Sequence, residues 1–470
     1  MFSVNILSIA PILCLVGVSL IALAIEALVR NNERISFWVV VLGILFSIVI
    51  SVVTFGREES FGGMVSGGGY GSFFGILFLI SALLTIVLSR EYLRKCHRAL
   101  GEFYLLVLFA TLGMMIIASA GDLIMVFLGI ELMSVCLYVL AGYLRQHMKA
   151  NESSLKYFLL GAFATGFLLY GIALVYGSTG STNIGVIAGK YTDPNLPYIF
   201  WIGLGFLLVG LAFKVAAVPF HMWVPDVYEG APTTISGFMS TGGKAAAFSA
   251  FVLVFAHQFV HGQSVKVALA VVAAASMILG NVIAMSQTNI KRMLAYSSIA
   301  HAGYMLAGLA AANQLGRIGI LFYLTVYMFM NIGAFGVLSL LEEDQDRNLT
   351  LGDYAGLGSK RPYMAALMAI YMFSLSGLPP FAGFLGKYFV FAAAVKADLT
   401  WLAIVGVLTS IIGVYYYLRL VVLMYFEDGT KEMLGKPSIA SMAVLTLAAA
   451  ALLHFGIFPS SILSFIDKLF

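Results

Sequence analysis

Charge is what this sequence has least of. Asp, Glu, Lys and Arg make up only 10% of its 470 residues, where a soluble globular protein carries roughly a quarter. The shortage excludes a water-soluble enzyme, and the apolar richness excludes a disordered scaffold. A formal net charge of +4, scattered along the chain, excludes the basic footprint of a nucleic-acid binder. The three cysteines, Cys14, Cys96 and Cys136, form no CxxC pair and no Cys/His spacing. They offer no ligand set for zinc or an iron–sulfur cluster and read as small packing residues. There is no GxGxxG leading into a Rossmann unit, no phosphate-binding loop and no intramembrane histidine pair for haem. The glycine-rich stretch 62–72 lacks the strand–helix context of a phosphate loop and reads as a connector.

Apolar residues dominate instead, at 61% before glycine is counted. A bilayer span needs about 20 of them in a row. Fourteen apolar segments are separated by short polar breaks, at 5–28, 37–55, 71–89, 104–120, 122–143, 157–177, 198–218, 233–256, 265–286, 293–312, 316–340, 362–396, 399–425 and 439–462. The expectation is an all-α polytopic membrane protein with about 14 transmembrane helices. The first segment has no preceding Lys or Arg and exceeds a signal-peptide core, so it reads as a span. Sixteen Lys and Arg fall in the odd-numbered loops, against six in the even-numbered loops and C-terminus. The positive-inside bias then sets the odd loops in the cytoplasm and both termini outside.

Four basic residues remain, all inside apolar segments: Lys214, Lys244, Lys387 and Arg419. A lysine at mid-bilayer costs about 2.5–3.5 kcal/mol on insertion scales, so three of them point to proton or ion handling. Arg419 sits near a cytoplasmic helix end and can snorkel, which makes it a secondary candidate. Among the acids, Glu131 alone reads as deep. Its natural partner is a buried lysine, and opening such an ion pair would act as a switch. His301, with Ser297, Ser298 and Tyr304 within a turn, reads equally as a packing residue or as part of a hydrated relay. His221 follows Pro219 at a helix break, and His454 reads as packing.

Two spans carry breaks. The seventh reaches Pro219 and continues as the short amphipathic piece FHMWVPDVYEGAPT. The twelfth reads SLSGLPPFAGFLGK, with Gly377, Pro379, Pro380 and Gly383 close together. Proline interrupts helix hydrogen bonding, and open backbone at membrane depth is tolerated only inside protein or beside a wet cavity. Spans four to eight (104–256) and nine to thirteen (257–425) form two five-helix units, each with its fourth span broken. The odd unit length inverts the second copy, as in many transporters. An N-terminal three-helix segment (1–103) precedes them and a C-terminal helix (426–470) follows.

The stretches GIELMSVCLYVLAGY, LAFKVAAVPFHMWVPDVYEGAPT, KRMLAYSSIAHAGYML and FSLSGLPPFAGFLGKYFVF carry a resemblance. The chain resembles the antiporter-like membrane subunits of respiratory complex I, the proton-pumping NADH:quinone oxidoreductase, and among them the subunit N branch, the bacterial counterpart of mitochondrial subunit 2. The VPDVYEGAPT form is similar to subunit N. Lysine rather than glutamate in the twelfth span argues against subunit M, and the length argues against subunit L, which carries a long lateral helix after its fourteenth span. The resemblance implies that Glu131 tunes Lys214 through an ion pair. Lys214 then passes a proton toward Lys244 with His301 bridging, and Lys387 forms the exit. It also implies a bacterial inner membrane location, neighbouring antiporter-like and small membrane subunits as partners, and no cofactor in this chain, with FMN, iron–sulfur clusters and quinone in other subunits. The rival readings are a subunit of a multi-subunit cation/proton antiporter, a self-sufficient solute transporter, or a purely structural membrane subunit.

Overall fold

A computed structural model describes residues 6–29, 33–57, 60–96, 100–190, 196–256, 263–342, 349–429 and 437–469. Arg30, Arg98, Arg347, Lys431 and Lys436, which entered the loop count, lie outside the described residues, as does 343–348 of the acidic loop.

The described chain is almost wholly helical. An N-terminal group comprises α1 (Ala10–Leu28), α2 (Glu33–Val53) and α3 (Gly69–Lys95). The glycine-rich connector before α3 holds a two-residue hairpin, Ser60–Phe61 against Val65–Ser66. Next come α4 (Gly101–Ala118), α5 (Leu123–Ala141), α6 (Met148–Thr179), the short α7 (Ile184–Lys190) and α8 (Tyr198–Val215). After a turn, α9 (Trp223–Gly230) leads into α10 (Thr233–Phe238) and α11 (Lys244–Phe251), joined by a π-helical turn at Met239–Gly243. The second half holds α12 (Gln263–Met285), α13 (Ile290–Ala310), α14 (Gln314–Leu341), the short α15 (Leu357–Lys360), α16 (Pro362–Ser376), α17 (Ala382–Lys396) and α18 (Thr400–Phe426). The chain closes with α19 (Ile439–Ile457) and the short α20 (Ser460–Ile466).

Twelve of the described helical segments are long and apolar enough to cross a membrane. The sequence expects fourteen, and the difference has physical causes. Serine, tyrosine and histidine dilute the apolar character of α13, which is 21 residues long. The twelfth segment is broken into α16 and α17, each of 15 residues. Nearly every residue of α10, α11, α13 and α14 is buried, so these helices form the centre. The outer helices, such as α6 and α18, turn rows of large apolar side chains outward, as lipid-facing surfaces do. Helices lock where side chains vanish: a Cβ on Gly113 of α4 would lie 2.6 Å from the Met133 nitrogen of α5, and one on Gly280 of α12 would lie 2.6 Å from the Ala300 nitrogen of α13.

Both breaks are built alike. At the end of α8, Ala217 N–H donates to Ala212 C=O (2.9 Å) and Ala216 N–H to Phe213 C=O (3.0 Å). At the end of α16, Leu378 N–H donates to Phe373 C=O (3.1 Å) and Gly377 N–H to Ser374 C=O (3.1 Å). This crossed pair with a left-handed residue is the Schellman helix stop. The left-handed residue is Ala216 (φ 63°) in the first break and Gly377 (φ 83°) in the second. Pro219 and Pro380 stand at equivalent places, three residues further on, with Pro379 just before the latter. Gly383 has no alternative, because a Cβ there would sit 1.8 Å from the Ser374 carbonyl oxygen.

Candidate functional site

The three lysines are all buried: Lys214 and Lys387 are 6% exposed and Lys244 is 2% exposed. Each is held by neutral oxygens and aromatic faces.

Lys214 sits one residue before the end of α8. Its ammonium donates to Ser134 Oγ (2.8 Å) on α5 and lies 5.8 Å from the centres of the Tyr138 and Phe213 rings. That separation is within the outer range of cation–π attraction. Glu131 lies three residues before Ser134, on the same face of α5. The sequence expects a Glu131–Lys214 ion pair, and that contact is not made. Ser134 takes the ammonium instead, and Glu131 Oε1 is buried without a hydrogen-bond partner.

Lys244 opens α11 directly after the π turn. Its ammonium donates to the Ser298 carbonyl (2.5 Å) and to Ser298 Oγ (3.0 Å) on α13, and lies 5.8 Å from the Tyr327 ring centre. π turns often mark functional sites, because they widen a helix and redirect its side chains.

His301 follows Ser298 by one turn of α13. Its Nδ1 pairs with Tyr323 OH on α14 (2.7 Å) and its Nε2 with Tyr417 OH on α18 (3.1 Å). Tyr417 OH also shares a hydrogen bond with Ser297 Oγ. The sequence offers His301 as a bridge between Lys214 and Lys244. The structure sets it beyond Lys244 instead, because its face of α13 turns to α14 and α18.

Lys387 lies five residues into α17, past the second break. Its ammonium donates to the Ser376 carbonyl (2.8 Å) and to Ser410 Oγ (2.7 Å), and lies 5.1 Å from the Tyr304 ring centre. Tyr304 OH accepts from Asn281 Nδ2 (2.9 Å), and Asn281 Oδ1 accepts from Tyr416 OH (3.1 Å). Tyr416 packs on Tyr417 with ring centres 4.4 Å apart. The groups around Lys244 and those around Lys387 are therefore joined through α13, α12 and α18. Lys387 also borders a lateral groove of about 660 Å³ between α17 and α18.

Of the secondary candidates, Tyr304 thus joins the Lys387 surroundings, and Arg419 and His221 make none of these contacts. Arg419 is half-buried and makes no ion pair among the described residues. His221 lies in the first break with a buried, unpartnered Nδ1.

Some polar residues escape a sequence reading. Tyr417 and Ser410 lie among ordinary apolar residues of α18. Lys291 counts as a loop lysine in the sequence, yet it is fully buried and donates to the Ala231 carbonyl (2.8 Å) at the end of α9. Glu131 is the one deep acid in the sequence, yet Glu342 is more buried, at 5% exposed. Each of the latter two stands next to a polar break in the sequence, which is why periodicity assigns it to a loop.

A set of ion pairs binds α9 to its neighbours. Asp226 bridges Lys156 of α6 (2.7 Å) and Arg292 of α13 (2.8 Å). Glu229 bridges Arg292 (2.8 Å) and Lys149 (2.9 Å). Burial alone would push both carboxyls up, but the hydrogen bonds and charges of these partners hold them below the usual carboxylate range.

Residues 120–413 match the family described as NADH:quinone oxidoreductase/Mrp antiporter, TM. The NADH-quinone oxidoreductase subunit N of Salinibacter ruber is 45% identical over 95% of this chain and 92% of its own length. A chain of respiratory complex I from Thermus thermophilus superposes with a TM-score of 0.85 at 36% identity, covering 97% of this chain and 98% of that one. A chain of the Mrp complex from Dietzia sp. DQ12-45-1b superposes with a TM-score of 0.86, covering 99% of this chain and 97% of that one; at 21% identity this likeness concerns the fold alone.

Proposed function

The chain belongs to the subunit N family of NADH-quinone oxidoreductases, and we propose that within such a complex it moves protons along Glu131, Lys214, Lys244, His301 and Lys387. It is a multi-pass membrane subunit that works beside the other membrane subunits of complex I. Quinone reduction occurs elsewhere in the complex and reaches this chain through conformation and electrostatics. FMN, iron–sulfur clusters and quinone belong to other subunits, in keeping with three scattered cysteines and no nucleotide motif here. The matched helix stops support reading 104–256 and 257–425 as inverted five-helix units, flanked by 1–103 and 426–470. The distribution of Lys and Arg supports both termini lying on the outer side of a bacterial inner membrane.

The observation that carries this reading is the row of buried polar groups between Lys244 and Lys387: Ser298 on Lys244, the hydrogen-bonded set Ser297, Tyr417 and His301, and the hydrogen-bonded set Tyr416, Asn281 and Tyr304, with Tyr416 packed on Tyr417 and the Tyr304 ring beside the Lys387 ammonium. Because neutral oxygens hold each lysine, a proton can leave it without an ion pair having to break. Glu131, standing off from Lys214, is the open half of a switch. When the carboxylate swings onto Lys214 the ammonium is favoured, and when it swings away the proton is freed to move on.

The test is a Lys214→Ala complex in sealed vesicles. Protons moved per quinone reduced should fall while the complex still assembles and reduces quinone. Undiminished pumping from a fully assembled variant would sink the proposal.

A further inference from the structure

The lysine row leaves one buried carboxylate unused. Among the described residues only two acids are as buried as 7% exposed or less, Asp122 and Glu342. Asp122 caps the start of α5 by accepting from Ile124 N–H (2.8 Å). Glu342 caps no helix start, since it directly follows Leu341, the last residue of α14. Thr233 of α10 donates its hydroxyl to one carboxylate oxygen, and Tyr92 of α3 reaches the other at 3.5 Å. Lys95 of α3 and Tyr354, just before α15, lie within its electrostatic reach.

From Glu342 a polar seam runs between α3 and α10–α11 toward Lys244. On α3 it consists of Tyr92, Ser89, Thr85 and Ser81. Steps of three, four and four residues keep these side chains on one helix face. Ser89 Oγ donates to Thr234 Oγ1 (2.8 Å), and Ser81 Oγ shares a hydrogen bond with Thr241 Oγ1 (3.1 Å). Thr241 stands one turn before Lys244. The two rungs are about 12 Å apart along α3, at 1.5 Å per residue. Thr85 lies midway, at 2% exposed, with its hydroxyl buried and unpartnered. Buried hydroxyls are normally satisfied by protein or by water. Thr85 is about 6 Å from each rung by the same rise, the span that one water bridges between two hydroxyls.

We propose that Glu342 collects protons at this end of the molecule and passes them along the α3–α10 seam, by way of Thr234–Ser89, Thr85 and Ser81–Thr241, to Lys244. Each hydroxyl accepts one proton as it donates another, which leaves it neutral with its hydrogen bonds reversed, and rotation of the hydroxyls resets the seam before the next proton. Glu342 gains a proton from the aqueous side and gives it up to the seam. The inference rests on Lys244 being a proton carrier, as proposed above.

The test compares assembled complexes in sealed vesicles, reading protons moved per quinone reduced across a range of external pH. Glu342→Gln and Thr85→Val should each lose the share of pumping that Lys244→Met loses. Glu342→Asp and Thr85→Ser should restore it, with the pH profile of Glu342→Asp shifted. Thr85→Val is the sharper variant: the Thr85 hydroxyl makes no bond within the protein, so a merely structural role predicts no loss. It also decides the matter alone if Glu342→Gln fails to assemble. Wild-type pumping in Thr85→Val alongside a defect in Lys244→Met overturns the seam and leaves the lysine row standing. Wild-type pumping in Lys244→Met overturns both.

Discussion

Replacing Gly377 by alanine should damage this protein in two ways at once. Gly377 ends α16 at φ 83°, a conformation that costs an L residue about 1–2 kcal/mol. The added Cβ would also lie 3.0 Å from Lys387 Cδ, 3.1 Å from Nζ and 3.3 Å from Cε. The lysine must then give way, and its hydrogen bonds to Ser376 and Ser410 suffer. A hydrogen bond to a charged group contributes about 1.5–3 kcal/mol. Losing one of the two, added to the backbone strain, gives about 2.5–5 kcal/mol. The opposite change at the equivalent stop is the control. Ala216 holds φ 63°, so Ala216→Gly should relieve strain and leave stability level or raised by about 1 kcal/mol. Thermal unfolding of the purified complex, followed at this subunit, reads the first effect. Protons moved per quinone reduced read the displacement of Lys387. If Gly377→Ala matches wild type in both stability and pumping, the argument from the left-handed stop and the lysine beside it is refuted.

Tyr417→Phe removes the hydroxyl that joins Ser297 to His301, and pumping should fall while the fold persists, since the ring remains; unchanged pumping would remove Tyr417 from the path. Arg292→Gln should loosen α9 by about 1 kcal/mol, the scale of partly exposed ion pairs, and faster hydrogen exchange in α9 would register it. The wild-type clasp should also depend on pH. Asp226 and Glu229 have native pKa values below their ordinary 3.8 and 4.5. Depressed carboxylates stabilise the fold fully above those ordinary values and stop doing so as pH falls through the lowered ones. The loss should therefore appear only below about pH 4.5 and be smaller in Arg292→Gln; equal acid sensitivity would contradict the role given to these bridges.

The membrane-spanning class was readable because a charge in lipid is costly and therefore rare. Lys214, Lys244 and Lys387 stood out by position alone, and the structure finds all three buried. The breaks were readable from Pro219 and the Gly377–Gly383 cluster, because glycine and proline act locally. What needed the third dimension was who faces whom. Ser134 rather than Glu131 holds the Lys214 ammonium, since one helical turn separates two plausible partners on the same face. Tyr417 and Ser410 meet their lysine and histidine partners only through the packing of α18 against α13 and α17. Glu342 and Lys291 lie beside polar breaks, where a one-dimensional reading expects water and the fold supplies protein.

The central claim is that a buried lysine row carries the proton. Lys244 tests it most directly, because among the described residues its ammonium hydrogen-bonds to Ser298 alone, and it stands at the start of the row of buried polar groups that leads to Lys387. The measurement is the number of protons moved per quinone reduced by a fully assembled Lys244→Met complex in sealed vesicles. The account predicts a lowered ratio with assembly and quinone reduction retained. A ratio equal to wild type would contradict it.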